Sequence, residues 1–376
     1  MNKDISALYI LPACCDAKNI KWFSPGRARK SEQLVNSLIR YCVKVKVLST
    51  LGDERSSGLF SKQCIGSFNP FKRVFSILIG LIRISLFERK QYYYQYIICY
   101  NTRCHELITS LCLYYLNKNQ KLILQIEDIT NARENRWIQS VPDRIIEAIA
   151  FNFVSHVITP SKLVCSQLSK LYPNLQGKIF VYPPSLREDY LKAVEKRKHP
   201  FSGNITRILF MGGSGSDKGL LLLIKAYEKV VSMYSSFELH ICGSTPIEIS
   251  YYSNISVIPH GFVPREKLLK LIMDSDIIVN PHLPISNSNY IFPFKNIEIF
   301  GSGSFPLVSN IPCNHLDYVP KDFYFSDEDD LYAKIISAKS SWQKLKHKVI
   351  LLSSTTRQIY SEANVTKNIA EFLHII

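Results

Sequence analysis

Residues 277–310 read IIVNPHLPISNSNYIFPFKNIEIFGSGSFPLVSN, and they divide into strand, loop, helix and strand. Ile277 to Val279 is an apolar strand that ends in Asn280-Pro281, and a polar loop follows. A helix is expected from Pro293 to the Gly301-Ser-Gly303 stop, with a second apolar strand at Phe305 to Val308. Proline at a first helical position is pre-organised and forfeits no hydrogen bond. The free amides of that helix, with its positive dipole end, then open onto the loop, where an anion such as a diphosphate would sit. Lys295 adds a cation in the first turn, and Glu298 lies one turn on. Strand, loop and helix N-terminus at the carboxyl edge of a parallel sheet make the usual ligand crevice of an open α/β sheet. The alternative is a surface helix with a solvated Glu298 and a snorkelling Lys295.

Upstream, Arg207 to Gly219 (RILFMGGSGSDKG) is a strand, a glycine loop and the start of a helix over Leu220 to Met233. Bare backbone at Gly212 and Gly213 lets a diphosphate approach, and Lys218 supplies a compensating charge without a metal. The spacing is neither the GxxxxGK[ST] of a P-loop nor the GxGxxG of a dinucleotide fold. Phe237 to Gly243 is a strand ending in glycine, and Ile255 to Ile258 leads to His260-Gly261. A helix over Arg265 to Met273 precedes Ser275-Asp-Ile-Ile-Val279.

The first half alternates in the same way. Strands are expected at Ala7 to Leu11, Val45 to Leu48, Tyr93 to Tyr100, Lys121 to Ile126, His156 onward and Ile179 to Tyr182. Helices are expected over Glu32 to Arg40 and Glu106 to Leu116. The strand at 121–126 ends on Glu127-Asp128, two carboxylates at a parallel strand's carboxyl tip, where acid/base or hydroxyl-orienting groups belong. They serve equally as a helix cap or as partners for Arg133 and Arg136. The charged stretch 191–203 reads as an interdomain linker.

At 376 residues, 46% hydrophobic and 20% charged, the chain is globular and long enough for two domains. The first eleven residues lack a small-residue cleavage site, so no signal peptide is expected. Ten cysteines are scattered without C-x-x-C or His-x-x-x-His spacing, so thiols in a reducing cytoplasm are expected rather than a metal site or disulfides. Net charge is +15, and residues 1–150 carry 22 Lys and Arg against 12 Asp and Glu. Such a basic half attracts nucleic acid, anionic lipid or phosphorylated substrates. The segment 71–90 is too short and too interrupted by Arg83 to span a bilayer. It suits either a membrane surface or a buried α/β helix with basic ends.

In its order of elements the second half resembles the donor domain of nucleotide-sugar glycosyltransferases of the GT-B fold, family 4 type. The Pro293-x-Lys295-x-x-Glu298 helix with its small-residue turn and Pro306-containing strand looks like that family's donor-site signature. The resemblance is good over about 207–312 and architectural before 186. It implies an α/β fold of two doubly wound Rossmann-like domains facing across a cleft. Residues 1–190 would bind the acceptor and 204–355 the donor, with a final helix over about 356–376 returning to the first domain. Glu298 would hold the donor ribose. Gly26, Gly212, Gly213, Lys218, Gly243, His260, Tyr290, Pro293, Phe294 and Lys295 would line the donor. Glu127 or Asp128 would orient the acceptor hydroxyl. The sequence departs from the family at Tyr290, where many members carry glutamate, and at Gly213, where arginine is usual. Lys295 or Arg27 would then supply the missing cation. The implied reaction transfers a sugar from a UDP- or GDP-type donor to a saccharide or lipid-linked saccharide, as in surface polysaccharide (O-antigen or capsule) assembly. It would proceed with retention, without metal or cofactor, on the cytoplasmic membrane face. The two departures also fit a catalytically weak donor-binding or scaffold relative. A nucleic-acid binder accounts for the charge, but no RNP-like or zinc signature accompanies it, so no nucleic-acid partner is expected.

Overall fold

The computed structural model describes residues 5–11, 25–42, 44–50, 61–65, 70–88, 94–101, 104–116, 119–127, 137–197, 199–213, 215–243, 257–284 and 292–375. These fall into two compact units. The first holds residues up to Pro184, Phe292 and Val365 onward; the second holds 185–284 and Pro293–Asn364.

The first unit contains strands β1 (Ser6–Leu11), β2 (Lys44–Ser49), β3 (Ser61–Cys64), β4 (Tyr96–Tyr100), β5 (Lys121–Gln125), β6 (His156–Thr159) and β7 (Ile179–Val181). Its helices are α1 (Pro25–Tyr41), α2 (Pro70–Arg83, continued as a π-turn through Glu88), α3 (Cys104–Leu116), α4 (Trp137–Phe153) and α5 (Lys162–Leu171). The seven strands lie in the order β3-β2-β1-β4-β5-β6-β7, each pair parallel. Ala7 to Leu11 and the whole of β4 are buried, as expected for parallel strands covered by helices on both faces. The order reverses between β1 and β4, so this sheet has a switch point there.

In the second unit come α6 (Glu188–Glu195), β8 (Thr206–Met211), α7 (Leu220–Met233), β9 (Phe237–Cys242), β10 (Val257–Gly261) and α8 (Arg265–Asp274). They are followed by β11 (Ile277–Asn280), α9 (Phe294–Gly301), β12 (Phe305–Ser309), β13 (Tyr324–Phe325) and α10 (Glu328–Ile359). Six parallel strands run β10-β9-β8-β11-β12-β13, with the switch point between β8 and β11. Asp327 caps α10, its side chain accepting from the Asp330 amide. The last helix, α11 (Glu362–Ile375), places Val365, Ile369 and Phe372 in the same buried cluster as Tyr9, Leu34 and Ile98 of the first unit.

The structure departs from the sequence expectations in four places. The stretch 191–203 is not a linker: the units divide at Pro184/Ser185, and α6 belongs to the second. Tyr190 and Val194 of α6 are buried, and Arg197 donates from Nη1 to Ile272 O at 2.7 Å and from Nη2 to Ser275 O. Arg197 thus seals the end of α8, while Lys192, Glu195 and Lys196 of the same run are exposed. Pro293 is the N-cap of α9, its carbonyl accepting from Asn296 N at 3.0 Å, so the helix begins at Phe294. Gly26 lies in the first turn of α1 rather than in a loop, because Pro25 starts that helix earlier than the apolar spacing suggested. The polar strand β3 was not foreseen; SKQC carries no apolar alternation.

Candidate functional site

In the second unit the loops after β8 and β11 flank the switch point and are stitched together. Leu283 N donates to Asp217 O at 3.0 Å. Gly219 adopts φ +68°, and a Cβ there would stand 1.7 Å from Pro281 O, so only glycine lets the start of α7 approach this loop. Gly243, at φ +91°, abuts Gly212: a Cβ on it would meet Gly212 O at 2.8 Å. Its amide donates to Gly261 O at 2.8 Å, and Gly212 N donates to Cys242 O at 2.9 Å. Gly243 therefore supports the glycine loop from behind, while Gly213 is exposed.

Lys295 reaches across from α9 to this loop. Its Nζ donates to Met211 O at 3.1 Å, lies 5.4 Å from the Phe210 ring centroid, and would sit 3.1 Å from a Cβ on Gly212. Burial, and secondarily the nearby Lys218 charge, lower its pKa to about 7. Lys218 is ion-paired with Asp217. His282, almost wholly buried after β11, is held at about 4 by burial and then by Lys218 and Lys295, and its Nδ1 has no hydrogen-bond partner. Two lysine amino groups, a neutral imidazole and the side-chain-uncapped N-terminus of α9 thus gather at one edge of the switch point. This is chemistry for binding and stabilising an anion.

Glu298, buried on α9, pairs with Arg265 Nη1 at 2.9 Å, and Tyr190 OH donates to its backbone carbonyl. Arg265 Nη2 is buried without a hydrogen-bond partner. Beneath the site a chain of buried amides joins the elements. Asn280 Nδ2 donates to Asn296 Oδ1 at 2.6 Å, and Asn296 Nδ2 to Asn314 Oδ1 at 2.8 Å. Asn314 Nδ2 donates to Ser309 O and Oγ, both at 2.9 Å, and Ser309 Oγ donates to His282 O at 2.5 Å. Sequence reasoning missed Arg265, His282 and these asparagines. Their one visible signal is polar residues at positions where the strand and helix pattern predicts burial.

His260 is not brought to this group. It stacks on His240, with centroids 5.2 Å apart and a 3.0 Å Nδ1 to Nε2 contact, on β10 at the sheet's edge, two strands from β8. Tyr290 and Asp128 lie outside the described residues, as do Arg133 and Arg136. Pro293 and Phe294 stand at the mouth of α9.

In the first unit Glu127 follows β5. Its Oε2 pairs with Lys30 of α1, Oε1 accepts from Gln125 Nε2 at 2.8 Å, and its amide donates to Asn101 Oδ1 at 2.8 Å. Asn101 takes a left-handed φ of 56°, a conformation asparagine tolerates. The carboxylate lines a small pocket, open to solvent, with Lys30, Gln33, Gln125, Pro160 and Tyr182. Asn101 Nδ2 and Thr159 Oγ1 are buried without hydrogen-bond partners. Among the described residues no cluster of three His, Cys, Asp or Glu could hold a metal ion.

No protein-family model matches the chain, and no curated protein matches it. Solved structures do, over nearly its full length. A glycosyltransferase from Rickettsia africae ESF-5 is 17% identical with a TM-score of 0.71, covering 99% of this chain and 98% of that one. Anabaena HepE, solved with UDP and glucose, is 13% identical with a TM-score of 0.70, covering 99% and 100%. A lipopolysaccharide outer core galactosyltransferase, WaaB, is 11% identical with a TM-score of 0.68, covering 98% and 99%. These likenesses show the fold: two doubly wound parallel sheets of the GT-B type.

Proposed function

We propose that the chain is a glycosyltransferase of family 4 type that moves a sugar from a UDP- or GDP-type nucleotide-sugar to a saccharide or lipid-linked saccharide. The observation that carries this reading is Lys295, whose ammonium lies against the Gly212 loop beside Lys218. Lys295 takes the part of the cation that Gly213 does not provide. In the reaction the bond between the sugar's anomeric carbon and the diphosphate breaks, and negative charge grows on the leaving diphosphate. Lys218, Lys295 and the first amides of α9 meet that charge, the preorganised electrostatic stabilisation in which one donor is worth about 3 kcal/mol. They supply it without a divalent metal. Glu298 and Arg265 address the ribose, and Glu127 orients the acceptor hydroxyl. Retention of configuration rests on the resemblance to the family. The loop 281–292 contains no Asp or Glu to act as a nucleophile, so the covalent double displacement of retaining glycoside hydrolases is a poorer fit. A place in surface polysaccharide synthesis is supported by the like-folded lipopolysaccharide galactosyltransferase.

A second reading is a nucleotide-sugar-binding relative without turnover. It is favoured by two pairings at the site, Glu298 with Arg265 and Lys218 with Asp217. Thermal unfolding with UDP-, GDP- and ADP-sugars, on wild type and Glu298→Ala, tests both. Saturation at a hundredfold Kd stabilises the protein by roughly 2.7 kcal/mol. A shift with one base, lost in the variant, together with release of the nucleoside diphosphate in the presence of acceptor, is the expected result. A shift without release favours the second reading, and no shift with any nucleotide-sugar overturns both.

A further inference from the structure

Helix α2 with its π-turn is apolar on opposite sides. Ile77, Leu81 and Ile84 are buried against the first unit's sheet with Leu8 and Leu48, and Gly80 brings the helix close to Ile65. On the other side Phe75, Leu78, Ile79, Ile82 and Leu86 are each at least half exposed, Phe75 reaching 70%. At roughly 100° per residue these five fall within an arc of about 100°, a continuous apolar stripe rather than scattered exposure. Exposed Lys72 and Arg83 border that arc on one side. Helices α3 and α4, next along the same layer, add exposed Tyr115, Ile145 and Ile149. An apolar helix stripe is ordinarily covered, and α2 has a second one that lies open.

We infer that the outer face of α2 lies in the surface of an anionic lipid bilayer, with its axis in the membrane plane. Two observations select this occupant. No helix among the described residues is long and apolar enough to cross a membrane, which leaves an in-plane arrangement. The charge is complementary: residues 70–90 carry five cations against one carboxylate, within a chain of net charge +15. Lys72 and Arg83 at the stripe's border can extend their stems along it and put their charges at the headgroups. A second copy docking through the same face would bring two basic halves together, which charge opposes. The surface needs no nucleotide, so it stands or falls separately from the donor site.

Co-sedimentation of the full chain with phosphatidylcholine vesicles, with and without phosphatidylglycerol, tests it. The chain binds the anionic vesicles, and added salt weakens the binding. Ile79→Ser with Ile82→Ser lowers partitioning at least about ten-fold. Lys72→Gln and Arg83→Gln each lower it roughly five-fold. The Ile79→Ser with Ile82→Ser variant keeps the wild-type melting curve, because both side chains are exposed. Absence of binding, equal binding to neutral vesicles, or binding that none of these substitutions changes overturns the inference. So does a dimer at sedimentation equilibrium that Ile79→Ser with Ile82→Ser dissolves, since the face would then belong to a second copy.

Discussion

Lys295→Met keeps the apolar stem that packs near Phe210 and removes the ammonium from the Gly212 loop. A hydrogen bond to a charged group contributes about 1.5–3 kcal/mol, so nucleotide-sugar binding should weaken roughly ten- to hundred-fold. The same lysine predicts a pH signature. With a pKa of about 7 before the donor binds, about half of the molecules carry the charge at neutral pH. The diphosphate favours the charged form and raises that pKa. Affinity is therefore full below about pH 7 and falls tenfold per unit as pH rises above it, until the raised pKa of the complex is reached. His282 contributes nothing to this window, since its own pKa is about 4. A nucleotide-sugar is the right probe, because its diphosphate is esterified at both ends and keeps its charge throughout. Isothermal titration in two buffers of different ionisation heat should show about half a proton taken up per ligand near pH 7, and none in Lys295→Met. A Kd that stays flat across this range, or a slope that survives in the variant, would refute the placing of Lys295 on the diphosphate.

Gly219→Ala combines a left-handed φ with a clash against Pro281 O. It should cost about 2–4 kcal/mol and lower the calorimetric midpoint by roughly 5–15 °C. Glu298→Gln keeps shape but not charge, and should weaken UDP or GDP binding about ten-fold while leaving competition by inorganic pyrophosphate unchanged. Asn296→Ala orphans Asn280 Nδ2 and takes the amide donor from Asn314 Oδ1, a loss of roughly 1–3 kcal/mol readable in urea unfolding. Glu127→Gln should lower turnover about a hundredfold with donor affinity intact; an equal loss of donor affinity would remove Glu127 from the acceptor role.

The alternation of strands and helices was legible because proline and glycine punctuate it: Asn280-Pro281, Gly301 and Gly303 bracket the decisive stretch and mark where β11 and α9 end. Gly212 and Lys295, 83 positions apart in sequence, could be named as one site because each stands beside a strand end at the same switch point. What sequence could not give is pairing at a distance. Nothing in Arg265 announces that it will meet Glu298, and the asparagine chain joins a strand end, a helix and a short turn whose facing depends on packing. The run Glu195 to Arg197 misled for a related reason: charge suggests solvent, yet Arg197 finds two buried carbonyls at the end of α8. His260 was drawn into the donor group by order along the chain, while its ring has a nearer partner in His240.

Because α11 completes the first unit's core, that unit cannot be finished in the order in which the chain is made. Val365, Ile369 and Phe372 fill space beside β1 and α1, and about 180 residues separate them from the unit's last earlier strand. At ordinary synthesis rates the ribosome needs roughly 10–40 s to deliver them. During that interval Tyr9, Leu34 and Ile98 lack part of their apolar cover, while the strands of the second unit follow one another without interruption from the first. The nascent first unit is thus a waiting client for chaperones, and a fragment ending at residue 184 should aggregate unless a peptide carrying α11 is added back.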